Sequence, residues 1–229
     1  MQDEMVQPLP DMQSRVNSNI PTGTSFPEKL MAPTTRTLIL ITAAAFVVQA
    51  AILYTMGQPP ICACGTVRFW VGTVLSPENS QQITDWYTPS HVIHGMLFFA
   101  LGHLLFRGRW SSVFALALAL ALGIEVAWEL VENSPPVIAR YREQALAQGY
   151  SGDSILNSLS DTLAMLAGFG LAARLPVRFS LGLAVAAELF TCLMIRDNLT
   201  LNVVQLIVPS KTISAWQAEG GLYSAPTVQ

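Results

Sequence analysis

Two histidines and a group of acidic residues have types and spacings that suit a metal site. His91 and His94 are three residues apart, and Glu125, Glu129 and Glu132 follow at spacings of four and three. Residues three or four positions apart lie on one face of an α-helix. Imidazoles and carboxylates on facing helices are suitable ligands for Zn, Mn or Fe. The sequence therefore predicts a divalent metal site, with His91, His94, Glu129 and Glu132 as candidate ligands.

A second set of acids could take part in catalysis. Asp153, Asn157 and Asp161 are spaced by four residues, which places them on one face of a helix. The candidate catalytic residues are two acids of this face and two of the earlier one: Glu125, Glu129, Asp153 and Asp161. A bound metal could lower the pKa of a water molecule and create a hydrolytic nucleophile. Without a metal, a His–Glu pair could serve general acid–base catalysis or a proton relay. A structural hydrogen-bond network between helices is the third interpretation, so whether the protein is an enzyme stays open.

Composition places these residues in a membrane protein. Charged residues make up 12% of the chain, hydrophobic residues 52%, and the mean hydropathy is +0.44. Crossing a bilayer takes roughly 20 apolar residues. We expect an all-α integral membrane protein with about five spans, at residues 37–56, 88–106, 110–131, 154–173 and 177–195. The sequence has no basic stripe and no nucleic-acid motif, so membrane lipid, and not nucleic acid, is the expected partner.

The segments outside these spans have different compositions. Residues 1–36 hold five prolines and are rich in Ser, Thr, Gln and Asn, which predicts a disordered tail. Residues 199–208 are apolar but too short to cross, which favours a re-entrant or interfacial segment. Residues 37–218 then form the transmembrane domain, and residues 219–229 a flexible C-terminus.

The distribution of Lys and Arg predicts the orientation, because basic residues favour the cytoplasmic side. Among the residues before Arg196, seven lie in the tail and the loops on its side, against three in the other loops. The first group is Arg15, Lys29, Arg36, Arg107, Arg109, Arg174 and Arg178, and the second is Arg68, Arg140 and Arg142. We expect a multi-pass protein of the bacterial inner membrane with a cytoplasmic tail and an external loop at residues 57–87.

With this order of spans, the polar residues converge at the outer end of the bundle. Within roughly 10–12 Å of that boundary lie His91 and His94, the acids of the third and fourth spans, and Glu188 of the fifth. Charges at such depth must find partners in the protein interior. We expect His94 to face Glu129 across the second and third spans, and His103 to stand apart toward the inner side.

The two loops on this side carry their own features. Cys62 and Cys64 could form a disulfide, although a separation of two strains its geometry, or they could bind a metal. A structured loop with packed small residues is the favoured interpretation. Residues 137–148 read as a short amphipathic helix that could cover the polar cavity as a lid, since Pro135 and Pro136 fix its start.

Several strings of the chain, taken together, resemble an uncharacterised family of bacterial multi-pass membrane proteins, a domain of unknown function. The strings are "GQPPICACG", "DWYTPSHVIHG", "AWELVENSP", "GDSILNSLSD" and "MIRDNLTLNV", and the resemblance covers residues 57–218. It implies a multi-pass protein of the bacterial cell membrane and no known reaction, so it assigns no catalytic residue. More distantly, the order of His, Glu and Asp is similar to that of VanZ-like membrane proteins, which implies a role near the envelope.

The functional hypothesis that follows is an outward-facing His/Glu/Asp site, with or without a metal, that handles a lipid-linked or small polar ligand. A non-catalytic envelope accessory or assembly protein, with a structural polar network, is the first alternative. A transporter or proton relay is the second.

Overall fold

The computed structural model describes residues 35–106 and 110–222, and its regular elements within these ranges are helices. In chain order they are α1 Thr35–Thr55, α2 Thr88–Leu105, α3 Trp110–Glu132, α4 Pro135–Arg142, α5 Ile155–Ala172, α6 Val177–Ile195, α7 Leu199–Ile207 and α8 Lys211–Ala218. The predicted disordered tail before residue 35, Arg107 and Arg109, and the end of the C-terminus after residue 222 lie outside the described residues.

Four helices are long and apolar enough to cross a membrane, which makes the chain a multi-pass α-helical membrane protein. They are Thr35–Thr55, Ser112–Glu132, Ile155–Ala172 and Val177–Ile195. α2 forms at the second predicted span, residues 88–106, but is not one of the four. It carries three histidines, and it packs against α3, α5 and α6.

Glycines bring α2 and α5 into backbone contact. A Cβ atom at Gly95 would overlap the carbonyl oxygen of Met165, and a Cβ atom at Gly168 would overlap that of Val92. Small residues allow such close approach between helices in membranes. Beside this contact, Met165 and Phe169 pack into the apolar core with residues of α3. The close contact fixes the positions of the polar residues that α2 and α5 carry.

The long loop between α1 and α2 folds over the start of α5. The first N–H groups of a helix have no partner within it. Here the N–H of Ser154 donates to the Ser80 oxygen at 3.0 Å, and that of Ile155 donates to the Pro59 oxygen at 2.8 Å. Trp86, near the loop's end, packs in a second apolar cluster with Ile195 of α6. The loop is therefore an ordered cover over one end of the bundle.

The cysteines of this loop are paired, which is one of the alternatives that the sequence leaves open beside the favoured structured loop of packed small residues. A disulfide joins Cys62 and Cys64, whose Cα atoms are 5.1 Å apart. The Gly65 N–H donates to the Cys62 oxygen at 2.9 Å, and Gly65 has φ of +76°. Glycine adopts this left-handed conformation readily. The resulting tight turn places the two cysteines within the usual separation for a disulfide.

The C-terminal segment forms two short helices, α7 and α8, of nine and eight residues. Both are too short to span a bilayer, as the sequence predicts. The Gln205 amide donates to the Ser214 hydroxyl at 2.7 Å, which ties α7 to α8. The guanidinium Nε of Arg140 donates to the Leu206 oxygen at 3.2 Å and so joins α7 to α4. At the end of α7, Ile207 and Val208 remain exposed and offer an apolar surface.

Asp197, just after α6, should make stability depend on pH. Burial raises its pKa from 3.8 to about 7, although Tyr87 and the Asn198 N–H donate hydrogen bonds to it. Because the folded pKa is raised, the fold favours the protonated acid. Stability is therefore highest below about pH 4 and decreases as the pH rises to about 7.

Thermal unfolding in detergent between about pH 4 and pH 8 tests this prediction. Relative to Asp197→Asn, the parent should lose a few kcal/mol across that window. Parallel curves for the two proteins would contradict it.

Candidate metal centre

Three helices meet beneath the loop and bring their polar residues together. α2 and α5 begin at this end of the bundle, and α3 ends there. His91 lies on the first turn of α2, Glu129 on the last turn of α3, and Asp161 on the second turn of α5. All three are buried. The convergence that the sequence predicts follows from this antiparallel order.

Both ring nitrogens of His91 face carboxylates. Its Nδ1 is 2.7 Å from Glu125 Oε1 and 3.5 Å from Glu129 Oε1. Its Nε2 is 3.8 Å from Asp161 Oδ2. A neutral imidazole has one N–H to donate. The short contact assigns that proton to Nδ1, which donates to Glu125, and leaves Nε2 with a free lone pair on the side of Asp161.

His94 pairs with Glu125, whereas the sequence predicts that it faces Glu129. The distance from His94 Nδ1 to Glu125 Oε2 is 3.1 Å. α2 and α3 are antiparallel, so a step of one turn along α2, from His91 to His94, lies opposite a step of one turn back along α3. That step leads from Glu129 to Glu125, which therefore lies opposite His94. Glu125 thus uses one oxygen for each histidine.

Three polar residues that the sequence analysis missed support Glu129. The Ser158 hydroxyl donates to Glu129 Oε2 at 2.6 Å. The Gln49 amide donates to the Ser158 hydroxyl at 2.7 Å, and its own oxygen accepts from the Thr162 hydroxyl at 2.8 Å. Gln49 is a buried amide in an otherwise apolar α1, which is the signal that could have identified it. This chain of hydrogen bonds holds α1 to the polar cluster.

Asp153 lines the cavity and belongs to a separate set of contacts. It accepts hydrogen bonds from the Asn133 amide at 2.6 Å and the Tyr150 hydroxyl at 3.0 Å. Burial raises its pKa to about 6. Glu132 lines the same cavity as Asp153. Of the candidate residues, Glu132 and Asp153 lie outside the groups of described residues that could hold one metal ion.

The segment after α3 covers the polar cluster, although its helix is shorter than predicted. α4 spans Pro135–Arg142, and the chain then continues without a helix to residue 154. Tyr141, Leu146 and Tyr150 of this segment line the cavity. Burial raises the pKa of Tyr141 and Tyr150 well above the ordinary value, so both are neutral hydrogen-bonding groups.

Two residues considered in the sequence analysis lie elsewhere. Glu188 was grouped with the convergent acids, but its carboxylate accepts from the N–H groups of Leu199 and Thr200 at the start of α7. Negative charge is favourable at a helix N-terminus. His103 lies near the opposite end of α2, where its Nδ1 donates to the Phe99 oxygen at 3.0 Å.

The cavity above the cluster is small and acidic. Its volume is about 70 Å³, which is room for roughly five water molecules. Asp85, Glu132, Asp153 and Asp161 line it together with the two histidines. None of the described residues that line it is Lys or Arg. Burial of like charges without a cation is unfavourable, so this cavity is suited to a positively charged species.

The donor atoms also fit a metal ion. Ligating atoms of His91, Glu129 and Asp161 all lie within 4.8 Å of one another, and so do those of His91, His94 and Glu125. Glu129 Oε1 and Asp161 Oδ1 are buried without a hydrogen-bond partner. Both Glu125 oxygens are already bonded to histidines. The group containing Glu129 and Asp161 therefore has the free ligand atoms.

Comparison with known proteins gives a family and related bacterial proteins. The family model described as "Protein of unknown function (DUF2585)" matches residues 53–219. A UPF0314 protein of Sphingopyxis alaskensis is 54% identical over 187 residues, which cover 81% of this chain and 97% of that protein. UPF0314 proteins of Rhizobium meliloti and Agrobacterium fabrum are 54% and 51% identical, over 75% and 77% of this chain and 85% and 88% of each relative. No solved structure matches the chain.

These matches confirm the predicted membership in an uncharacterised bacterial family, over nearly the predicted residues. They do not show the more distant likeness to VanZ-like proteins, which stays a prediction.

Proposed function

This chain belongs to the DUF2585 family, and we propose that it is a protein of the bacterial inner membrane whose covered cavity binds a divalent metal ion. The metal would serve to bind or activate a small polar group, either of a soluble ligand or of a lipid-linked one. The observation that carries this proposal is that Glu129 and Asp161 each have a buried oxygen without a hydrogen-bond partner, Oε1 and Oδ1, while both carboxylates lie beside the His91 ring.

The proposed ligands are His91 Nε2, Glu129 Oε1 and Asp161. Mixed imidazole and carboxylate ligands suit Zn, Mn and Fe. Glu125 would accept the Nδ1 proton of His91 and so orient its Nε2, an arrangement that metal-binding histidines usually have. When bound, the ion would supply a Lewis acid and a water of lowered pKa. Ser158 would hold the second oxygen of Glu129 in place.

The size of the cavity and its surroundings favour a small polar group. A volume of about 70 Å³ has no room for an acyl chain. Leu199 and Asn202 of α7 line the cavity wall, while Ile207 and Val208 at the far end of α7 are exposed. A lipid-linked ligand could therefore place its polar group in the cavity and its chain along the apolar end of α7.

The covered end of the bundle would face the periplasm. The seven-to-three distribution of Lys and Arg supports this orientation. The disulfide between Cys62 and Cys64 in the covering loop supports it independently, because disulfides persist in oxidising compartments. A reporter enzyme that is active only outside the cytoplasm should work when fused after Arg68 and be inactive when fused after Arg107. The reverse pattern would refute the orientation.

Metal binding should stabilise the purified protein. Zn²⁺ or Mn²⁺ at 100 times the dissociation constant should stabilise the fold by about 2.7 kcal/mol, and EDTA should reverse the rise in melting temperature. His91→Ala should remove this response, whereas His103→Ala, on the same helix but away from the cluster, should keep it. An equal metal response in both variants would contradict the proposed site.

The second candidate function is that of a non-catalytic assembly protein whose polar network only holds the helices together. The hydrogen bonds from Glu129 through Ser158 to Gln49 favour it, since they join α3, α5 and α1. Under this alternative, no divalent metal would change the melting temperature of the parent protein.

A further inference from the structure

Of the two cysteines in the disulfide of the covering loop, one is exposed and the other is buried. Cys62 is buried, with 3% of its surface exposed, whereas Cys64 is exposed. An attacking thiolate must reach the sulfur along the S–S bond, so access decides which sulfur reacts. Cys64 is therefore the position at which an external thiol can attack.

The buried sulfur is placed to leave as a thiolate. The backbone N–H of Cys64 points at Cys62 Sγ, with N and S 3.2 Å apart. A hydrogen bond to a charged group favours the charged form, so this N–H stabilises the negative charge that develops on Cys62. The turn that holds the N–H in place is closed by the bond from Gly65 N–H to the Cys62 oxygen.

The surroundings of Cys64 do not exclude an anionic reagent. Glu78 is the nearby acid, and Arg68 NH1 lies 3.2 Å from its carboxylate. The Gln82 amide is 3.4 Å from Cys64 Sγ and would donate to a thiolate formed there. Each sulfur of the pair therefore has its own N–H donor for the reduced state.

We propose that the Cys62–Cys64 pair is a thiol–disulfide exchange site that accepts electrons from a dithiol, with Cys64 as the sulfur attacked. A thiolate of the dithiol forms a bond to Cys64 Sγ, the bond between the cysteines breaks, and its electron pair remains on Cys62. The second thiol of the reagent, as a thiolate, then displaces Cys64. The dithiol leaves as a disulfide, and its two protons end on Cys62 and Cys64.

Single-cysteine variants test this assignment in a Cys192→Ser background, which removes the free cysteine of α6. The folded proteins in detergent are mixed with oxidised glutathione, and intact mass is followed over time. Cys62→Ser, which keeps Cys64, should gain one glutathione at least about tenfold faster than Cys64→Ser. Equal rates, or faster reaction of Cys64→Ser, would overturn the proposal.

A second measurement leaves Cys62 and Cys64 unsubstituted. The parent with only Cys192 replaced is treated with a monothiol, quenched with acid and digested, and the adduct is located by mass spectrometry. We expect the adduct on Cys64 with Cys62 free, and full reduction by a dithiol while the helical circular dichroism is unchanged. An adduct on Cys62, or reduction only after unfolding, would overturn the proposal.

Discussion

Replacing Gly168 with alanine should destabilise the bundle more than any other single-methyl change that we consider. The new Cβ atom would overlap the carbonyl oxygen of Val92 in α2, which belongs to a helix backbone and cannot rotate away. Overpacking against flexible side chains costs roughly 1–3 kcal/mol, and a clash between backbones should exceed the upper end of that range. We expect little folded protein after extraction into detergent.

Gly182→Ala is the matched control for this change. Gly182 lies in α6, and nothing would be within 4 Å of its Cβ atom. A change of Gly to Ala inside a helix should stabilise by about 0.5–1 kcal/mol. Denaturant unfolding of the two variants and the parent measures both effects. If Gly168→Ala unfolds at the same denaturant concentration as Gly182→Ala, the close approach of α2 and α5 is wrong.

Asp161→Asn should have opposite effects on metal affinity and on the stability of the metal-free protein. Its Oδ1 is buried without a hydrogen-bond partner, and an uncompensated buried charge is destabilising. The amide removes that charge, so the metal-free variant should melt at a higher temperature than the metal-free parent. The variant also loses a ligand, so its affinity for Zn²⁺ should decrease by more than about 100-fold, beyond the loss typical of residues that only support a ligand.

Asp153→Asn provides the contrast. This carboxylate already accepts hydrogen bonds from Asn133 and Tyr150, and the amide would turn a donor toward one of them. Hydrogen bonds to charged groups contribute roughly 1.5–3 kcal/mol each, so this variant should be less stable while its Zn²⁺ affinity is unchanged. Isothermal titration and thermal unfolding measure the two quantities. Lower stability in both variants, with no loss of affinity in Asp161→Asn, would favour a structural network.

Much of the architecture could be predicted because long apolar runs in a chain of low charge specify membrane helices. The same reasoning placed the polar residues of α2, α3 and α5 at one end, since alternate helices run in opposite directions. It also predicted His91 and three acids whose carboxylates lie beside the His91 ring in the structure, namely Glu125, Glu129 and Asp161. The depth of a residue along its helix can thus be read from the sequence.

The sequence did not predict equally well the direction in which a side chain points around its helix. Glu188 lies at a depth similar to the other acids but binds the start of α7. His94 was expected opposite Glu129, and the pairing with Glu125 depends on how far α2 slides along α3. That register depends on close contacts such as Gly102 against Ala117, which no spacing pattern shows.

The covering loop was the least predictable part of the site. It has no regular periodicity, and its order comes from long-range bonds such as that of the Asn157 amide to the Gln82 oxygen. The pairing of Cys62 with Cys64 depends on the turn at Gly65, whose positive φ the sequence only permits. Ser158 could not be distinguished from Ser160 of the same helix by type, and only its contact with Glu129 gives it a role.

X-ray absorption of the protein loaded with one equivalent of zinc tests the central claim most directly. The account predicts a first shell of nitrogen and oxygen atoms at about 2.0–2.2 Å, with imidazole scattering that is lost in His91→Ala and retained in His103→Ala. A first shell containing sulfur at about 2.3 Å would place the ion on Cys62 and Cys64 instead. That result, or zinc surrounded by water oxygens alone, would contradict a metal centre at His91, Glu129 and Asp161.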